Sequence, residues 1–376
     1  MSKTAYIAAH SIFSPLGLGT DTNWNQILSG KSGISLTNRT DITLKDFYAS
    51  SFSEVQMNNW EKAFSEDNNY TKLEKLMLTT LMNVQQESPI DFSSTQTVFI
   101  FSTTKGNIDL IGINPIDERL PLTKMAKRVS SFFGNQNQPY IVSNACISGV
   151  SAILLGTSLL KHHKAEQVVV CGADIISEFT VSGFNSLHAI SPFPCKPFDQ
   201  DRMGLTPGEA CGVLVLTNEA IGKIKISGGA SSSDANHISG PSRTGDGLAI
   251  AIQKALTTAN LKNTDIDFVS THGTATLFND ESESKALALA DVNMIEANSL
   301  KGYFGHTFGA AGIIETILTA KSMENSEILA SIGYEKHGVS TPMNIVNQLK
   351  SKNIQHSLKT ASGFGSCNAA LILSAE

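Results

Sequence analysis

The chain has 376 residues, 41% of them hydrophobic and 16% charged, with a formal net charge of −6. This composition supports a sizeable core and excludes a disordered or fibrous chain. The acidic balance offers no basic field toward nucleic acid or a membrane surface, and no apolar run is long enough to span a bilayer.

The N-terminus lacks a charged-then-apolar signal segment. The five cysteines (Cys146, Cys171, Cys195, Cys211 and Cys367) are scattered, odd in number and form no CxxC pair. These features predict reduced thiols in a cytoplasmic protein, with no metal site and no nucleic-acid partner.

The chain opens as a strand over 4–9, a turn at Ser14-Pro15-Leu16-Gly17 and a helix over 21–28. Residues 36–95 are more polar and carry a helical pattern over 70–86. A strand over 97–102 follows, and 106–125, with Pro115 and Pro121, reads as a loop. Residues 140–162 read as strand, turn and helix, with Cys146 at the joint. Another strand spans 167–172, which places Cys171 in the core. A polar excursion over 191–209 precedes a buried strand over 211–216.

Near residue 220 the pattern restarts, with a strand over 223–226 and a helix over 245–259. A strand over 268–270, a glycine-rich turn and helix over 302–323, and a strand over 369–374 complete it. Strands alternating with helices predict an α/β fold. The restart predicts two similar α/β halves, 1–222 with the cysteine and 223–376 with two histidines.

Three stretches carry chemistry. In Ser143-Asn144-Ala145-Cys146-Ile147-Ser148-Gly149 the thiol faces a helix start, where free N–H groups favour the thiolate. In Ser270-Thr271-His272-Gly273-Thr274-Ala275-Thr276 a histidine leaves a strand end. In the run from Lys301 to Gly312 a second histidine, His306, begins a helix rich in glycine and alanine. Active sites of α/β folds gather beyond strand carboxyl ends. Taken singly, each stretch has an ordinary structural reading, and the Gly305, Gly309, Gly312 spacing does not match a nucleotide loop.

Together these residues resemble the β-ketoacyl-acyl carrier protein synthases of the elongating, Cys-His-His type, within the thiolase-fold superfamily. The resemblance rests on Leu28-Ser29-Gly30-Lys31-Ser32-Gly33-Ile34, on Lys196-Pro197-Phe198-Asp199-Gln200-Asp201-Arg202 with Gly208-Glu209-Ala210, and on His272-Gly273-Thr274-Ala275-Thr276 with Asp280 and Glu283. It rests further on Lys301 to Gly312 with Glu315, and on Gly363-Phe364-Gly365 with Asn368.

The resemblance implies a layered α-β-α-β-α architecture and a decarboxylative Claisen condensation. Cys146 would accept the acyl group. His272 and His306 would hydrogen-bond the malonyl thioester oxygen. The backbone N–H groups of Cys146 and Phe364 would form the oxyanion hole, and Phe364 would gate the thiol. Lys301 and Glu315 would hold His306 and its surroundings, Asp280 and Glu283 would brace the His272 loop, and Phe184 would shape the acyl pocket.

No bound cofactor is implied, since substrates ride on the phosphopantetheine arm of acyl carrier protein. That acidic partner requires a local basic patch, for which Lys72, Lys75, Lys124, Lys127 and Arg128 are candidates. The family's usual state is a homodimer, and a heterodimer with a related subunit is a second possibility. Ser362, Ser366 and Cys367 depart from the usual pattern, and Phe101-Ser102-Thr103-Thr104-Lys105-Gly106 replaces the usual glycine-rich segment near the acyl pocket. They point to a divergent synthase, for a polyene or other specialised polyketide. A non-condensing partner subunit and a thiolase are the alternative readings.

Overall fold

The computed structural model describes residues 4–43, 45–64, 70–88, 90–234 and 240–376. The hydrophobic strands join one 12-stranded sheet. Across it run Asn344–Ile345, Glu296–Asn298, Phe268–Ser270, His356–Gly363, Cys367–Ala375, Ile224–Ser233, Ala5–Ser14, Ala210–Thr217, Gln167–Asp174, Thr97–Ser102 and Tyr140–Val142. The short strand Gly17–Leu18 folds back on Ala5–Ser14.

Ala5–Ser14 and Ile224–Ser233 pair antiparallel at the middle. Outward from each, the pairing begins with one sequence: antiparallel, antiparallel, parallel, parallel; on the Ile224–Ser233 side Asn344–Ile345 adds one more parallel strand.

Strands buried on both faces explain why runs such as Val168-Val169-Val170 show no alternation in sequence. Val168 and Val170 face a central core with the helices Ser148–Lys161 and Ala311–Asn325. Val169 and Cys171 face an outer core under the helices Lys72–Glu87 and Leu122–Phe132. A third core packs the far half of the sheet against the helices Asp246–Ala259 and Leu277–Leu289. Three cores between alternating layers give the α-β-α-β-α arrangement.

The two central helices touch where neither has a side chain. A Cβ on Gly149 would stand 2.9 Å from Ile313 N, and one on Gly312 would stand 2.7 Å from Val150 N. That contact joins the helix after Cys146 to the helix after His306.

Two elements differ from the sequence reading. The stretch 106–125 is not all loop: a 3₁₀ turn spans Ile108–Gly112 and a helix begins at Leu122, directly after Pro121. Proline at a helix start lacks only an N–H that would go unpaired anyway. The turn and helix expected over 302–323 resolve into Lys301–Phe304, a 3₁₀ turn Phe308–Ala310, and Ala311–Asn325. Gly305 and Phe308, with φ of +64° and +49°, cause the break. His306 therefore sits in the gap rather than on a helix start.

Candidate active site

Cys146 follows the strand Tyr140–Val142 in a tight turn. Ala145 has φ +45°, and Ser148 locks the turn by accepting from Asn144 N at 2.7 Å and donating to Ala145 O at 2.6 Å. The helix begins only at Ser148.

His272 leaves the strand Phe268–Ser270 on a loop gripped from both sides. Glu283 accepts from His272 N and Gly273 N, both at 2.8 Å. Asp280 accepts from Thr274 N at 2.9 Å, Ala275 N at 3.1 Å and Phe198 N at 2.7 Å. Both carboxylates are buried. Burial, reinforced by Glu283, pushes Asp280 up to about 6.

His306 is pinned to the segment before the strand Ala210–Thr217. Its N–H donates to Thr206 O at 2.6 Å and its carbonyl accepts from Gly208 N at 2.9 Å. A Cβ on Gly208 would collide with Phe304 O at 2.0 Å, so only glycine permits this approach.

These three anchors bring one donor atom each of Cys146, His272 and His306 within 4.8 Å of one another. The imidazoles meet edge to face at 5.3 Å. Both are held well below the ordinary histidine range, first by burial and then by the neighbouring ammonium of Lys301. Both rings are therefore neutral at pH 7. A Cys-His-His set would suit zinc in donor type, but the ammonium 3.4 Å from His272 Nδ1 opposes a second cation there.

Lys301 reaches His272 and not His306, which corrects the sequence reading: its Nζ donates to His272 O at 2.6 Å and to Glu315 Oε1 at 2.7 Å. Lys359 completes a buried trio that sequence reasoning missed. Its Nζ donates to Thr271 O at 3.1 Å and Ser270 O at 3.3 Å. It also lies 2.8 Å from Glu315 Oε2, as an ion pair outside hydrogen-bonding geometry. Two ammoniums thus hold three successive carbonyls of the strand end that carries His272. Only the buried lysine itself, two residues before Ala361, could have signalled this.

The thiol also differs from expectation. Cys146 is half-buried. Burial pushes its thiol up to about 11, while Lys301 and Lys105 act in the opposite direction. Burial thus works against the thiolate that a helix start would favour.

Cys146 lines two cavities. One of about 540 Å³ includes His272, His306, Thr274, Thr276, Ser362 and Asn368. The other, about 280 Å³, includes Lys105, Phe179, Phe184, Phe308 and Phe364. Phe184 lines both, 5.6 Å from Phe308 and from Phe364. A Cβ on Gly363 would stand 2.9 Å from Cys146 N, so the backbone leading to Phe364 abuts the cysteine. Ser362 donates to Asn368 at 2.8 Å. Cys367 is half-buried beside this hairpin, and its thiol meets Phe364 O at 3.2 Å.

The basic candidates disperse. Lys75 is buried, which removes it as a docking residue: the first turns of its helix are covered on all sides. Lys72 pairs with buried Glu209 at 2.9 Å, and Arg128 with buried Glu74 at 3.2 Å. Lys127 donates to Gln136 O and Asn137 O, both at 3.2 Å, and Lys124 is exposed.

The family profile described as the beta-ketoacyl synthase N-terminal domain matches residues 115–220, and that of its C-terminal domain matches residues 224–335. The chain belongs to the beta-ketoacyl synthase family. Among its relatives is the 3-oxoacyl-[acyl-carrier-protein] synthase 2 of Staphylococcus aureus, 24% identical over 99% of this chain and 98% of that one. Among solved structures, the Xenorhabdus doucetiae ketosynthase in complex with its chain length factor is 25% identical. It superposes with a TM-score of 0.88 over 100% of this chain and 98% of that one. A type II polyketide ketosynthase solved with its acyl-carrier protein is 20% identical, with a TM-score of 0.84 over all of both chains; this likeness shows the fold. No helix among the described residues is long and apolar enough to cross a membrane.

Proposed function

We propose that this chain is a ketosynthase that condenses malonyl-acyl carrier protein with an acyl group held on Cys146. The convergence of Cys146, His272 and His306 within 4.8 Å at the meeting of two cavities carries this reading. The sulfur attacks the acyl thioester of the carrier, and the pantetheine thiol departs with the thiol proton.

Malonyl-carrier protein then loses carbon dioxide. The electron pair of the broken C–C bond moves into an enolate, whose oxygen takes hydrogen bonds from the two neutral imidazoles. The enolate carbon attacks the acyl-cysteine carbonyl, with the oxyanion facing the N–H groups of Cys146 and Phe364. Collapse releases 3-oxoacyl-carrier protein and the cysteine thiolate, which takes up a proton. The larger, more polar cavity suits the pantetheine arm, and the aromatic one suits the acyl chain.

No bound cofactor enters this scheme. The partners are acyl carrier protein and a second subunit, a copy of this chain or a related one, in the cytoplasm. Lys124 is the candidate left most open for carrier docking. The two halves, 1–222 and 223–376, contribute the nucleophile and the histidines respectively.

Incubation with an acyl-carrier protein is expected to add the acyl mass to the protein, and Cys146→Ala to abolish the adduct. Malonyl-carrier protein should then consume it and yield the 3-oxoacyl product. An adduct that survives Cys146→Ala sinks the proposal. An adduct that malonyl-carrier protein leaves untouched favours a non-condensing partner instead.

A further inference from the structure

The 280 Å³ cavity is walled by the rings of Phe179, Phe184, Phe308 and Phe364, yet it also takes in the side chain of Lys105. Lys105 is half-buried. Its ammonium lies 4.3 Å from the centroid of Phe308 and donates to Thr104 Oγ1. Among the described residues no carboxylate pairs with it. Asp174 is reached only through Thr104 Oγ1, which donates to Asp174 Oδ2 at 2.8 Å.

The position of this cation matters. Phe308 stacks on His306 at 5.0 Å and on Phe184 at 5.6 Å, so the ammonium stands where the aromatic cavity meets the catalytic groups. Its charge is felt by both Cys146 and His306. Cys146 and Lys105 line the same cavity, so an acyl chain that runs from the sulfur into it would pass this ammonium.

A saturated chain would strip water from the ammonium and return only methylene contacts. A chain whose first carbons are conjugated would offer a π face, as Phe308 already does.

We propose that Lys105 is a specificity-determining residue: with the four phenylalanine rings it favours 2-enoyl and conjugated polyenoyl groups on Cys146 over saturated groups of equal length. The assignment deepens the acyl-acceptor reading of Cys146 and rests on it.

The test is a competition. Equal amounts of hexanoyl- and 2,4-hexadienoyl-acyl carrier protein are offered in excess, and the two adducts are resolved by intact mass. Intrinsic thioester reactivity is the same for every variant, so the change in adduct ratio isolates the pocket. Lys105→Met should lower the dienoyl-to-hexanoyl ratio by roughly two- to thirtyfold, the span of a partly desolvated cation–π contact. Lys105→Arg should keep the ratio near that of the parent chain. An unchanged ratio in Lys105→Met, or an equal fall in Lys105→Arg, overturns the assignment alone. Absence of both adducts in the parent chain overturns the acyl-acceptor reading, and this assignment with it.

Discussion

The backbone N–H of Phe308 donates to His306 Nδ1 at 3.3 Å. That bond makes Nδ1 the acceptor, so in the neutral ring the proton sits on Nε2. His306 Nε2 is buried and has no hydrogen-bond partner among the described residues. A buried, unpaired donor beside a cysteine is costly unless an oxygen arrives to accept it. The enolate oxygen of the proposed reaction is such an acceptor.

His306→Ala should therefore spare acylation of Cys146 and impair condensation. Loss of one preorganised donor corresponds to roughly 10²–10³ in rate. Adduct mass and 3-oxoacyl product, measured on the same sample, separate the two steps. Near-parental turnover would remove His306 from the scheme.

The thiol of Cys146, pushed up to about 11, is mostly protonated at pH 7. Alkylation by iodoacetamide should thus accelerate about tenfold per pH unit from 7 to 10, without a plateau. The sign follows from the direction of the shift: a raised pKa moves the thiolate limb to higher pH. A plateau near pH 7 would instead indicate a low-pKa thiolate in the unliganded protein.

Glu315 lies between Lys301 and Lys359, at 2.7 and 2.8 Å, with all three buried. Glu315→Gln leaves two buried ammoniums without that carboxylate and should cost on the order of 3–5 kcal/mol. Lys359→Met leaves the Lys301–Glu315 pair intact and should cost less. Thermal unfolding of the two variants gives the order, and the reverse order would refute the charge accounting.

Much of the site was legible in the chain. Cys146, His272 and His306 each sit in a short motif whose local structure follows from glycine, serine and strand-end chemistry. The bracing carboxylates Asp280 and Glu283 were legible through the family resemblance, and they reach the 272–275 loop from the helix that follows it. The break at His306 was not. A run of glycine and alanine after His306 reads as a helix that begins there, whereas Gly305 and Phe308 take positive φ where His306 meets the 206–208 segment. Burial of Lys75 was hidden too, since helical periodicity cannot report that neighbouring segments cover a helix on every side.

By itself the sequence determined the alternation of strands and helices and placed Cys146 and His272 just beyond strand ends. These depend on local hydrophobic pattern and on which residue types stand at strand ends. Tertiary structure alone decided the protonation states and the wiring. Burial raises the thiol and keeps both imidazoles neutral, and Lys301 serves His272 rather than His306. Desolvation and ion pairing depend on what surrounds a group in space, and here those surroundings come from segments far apart in the chain.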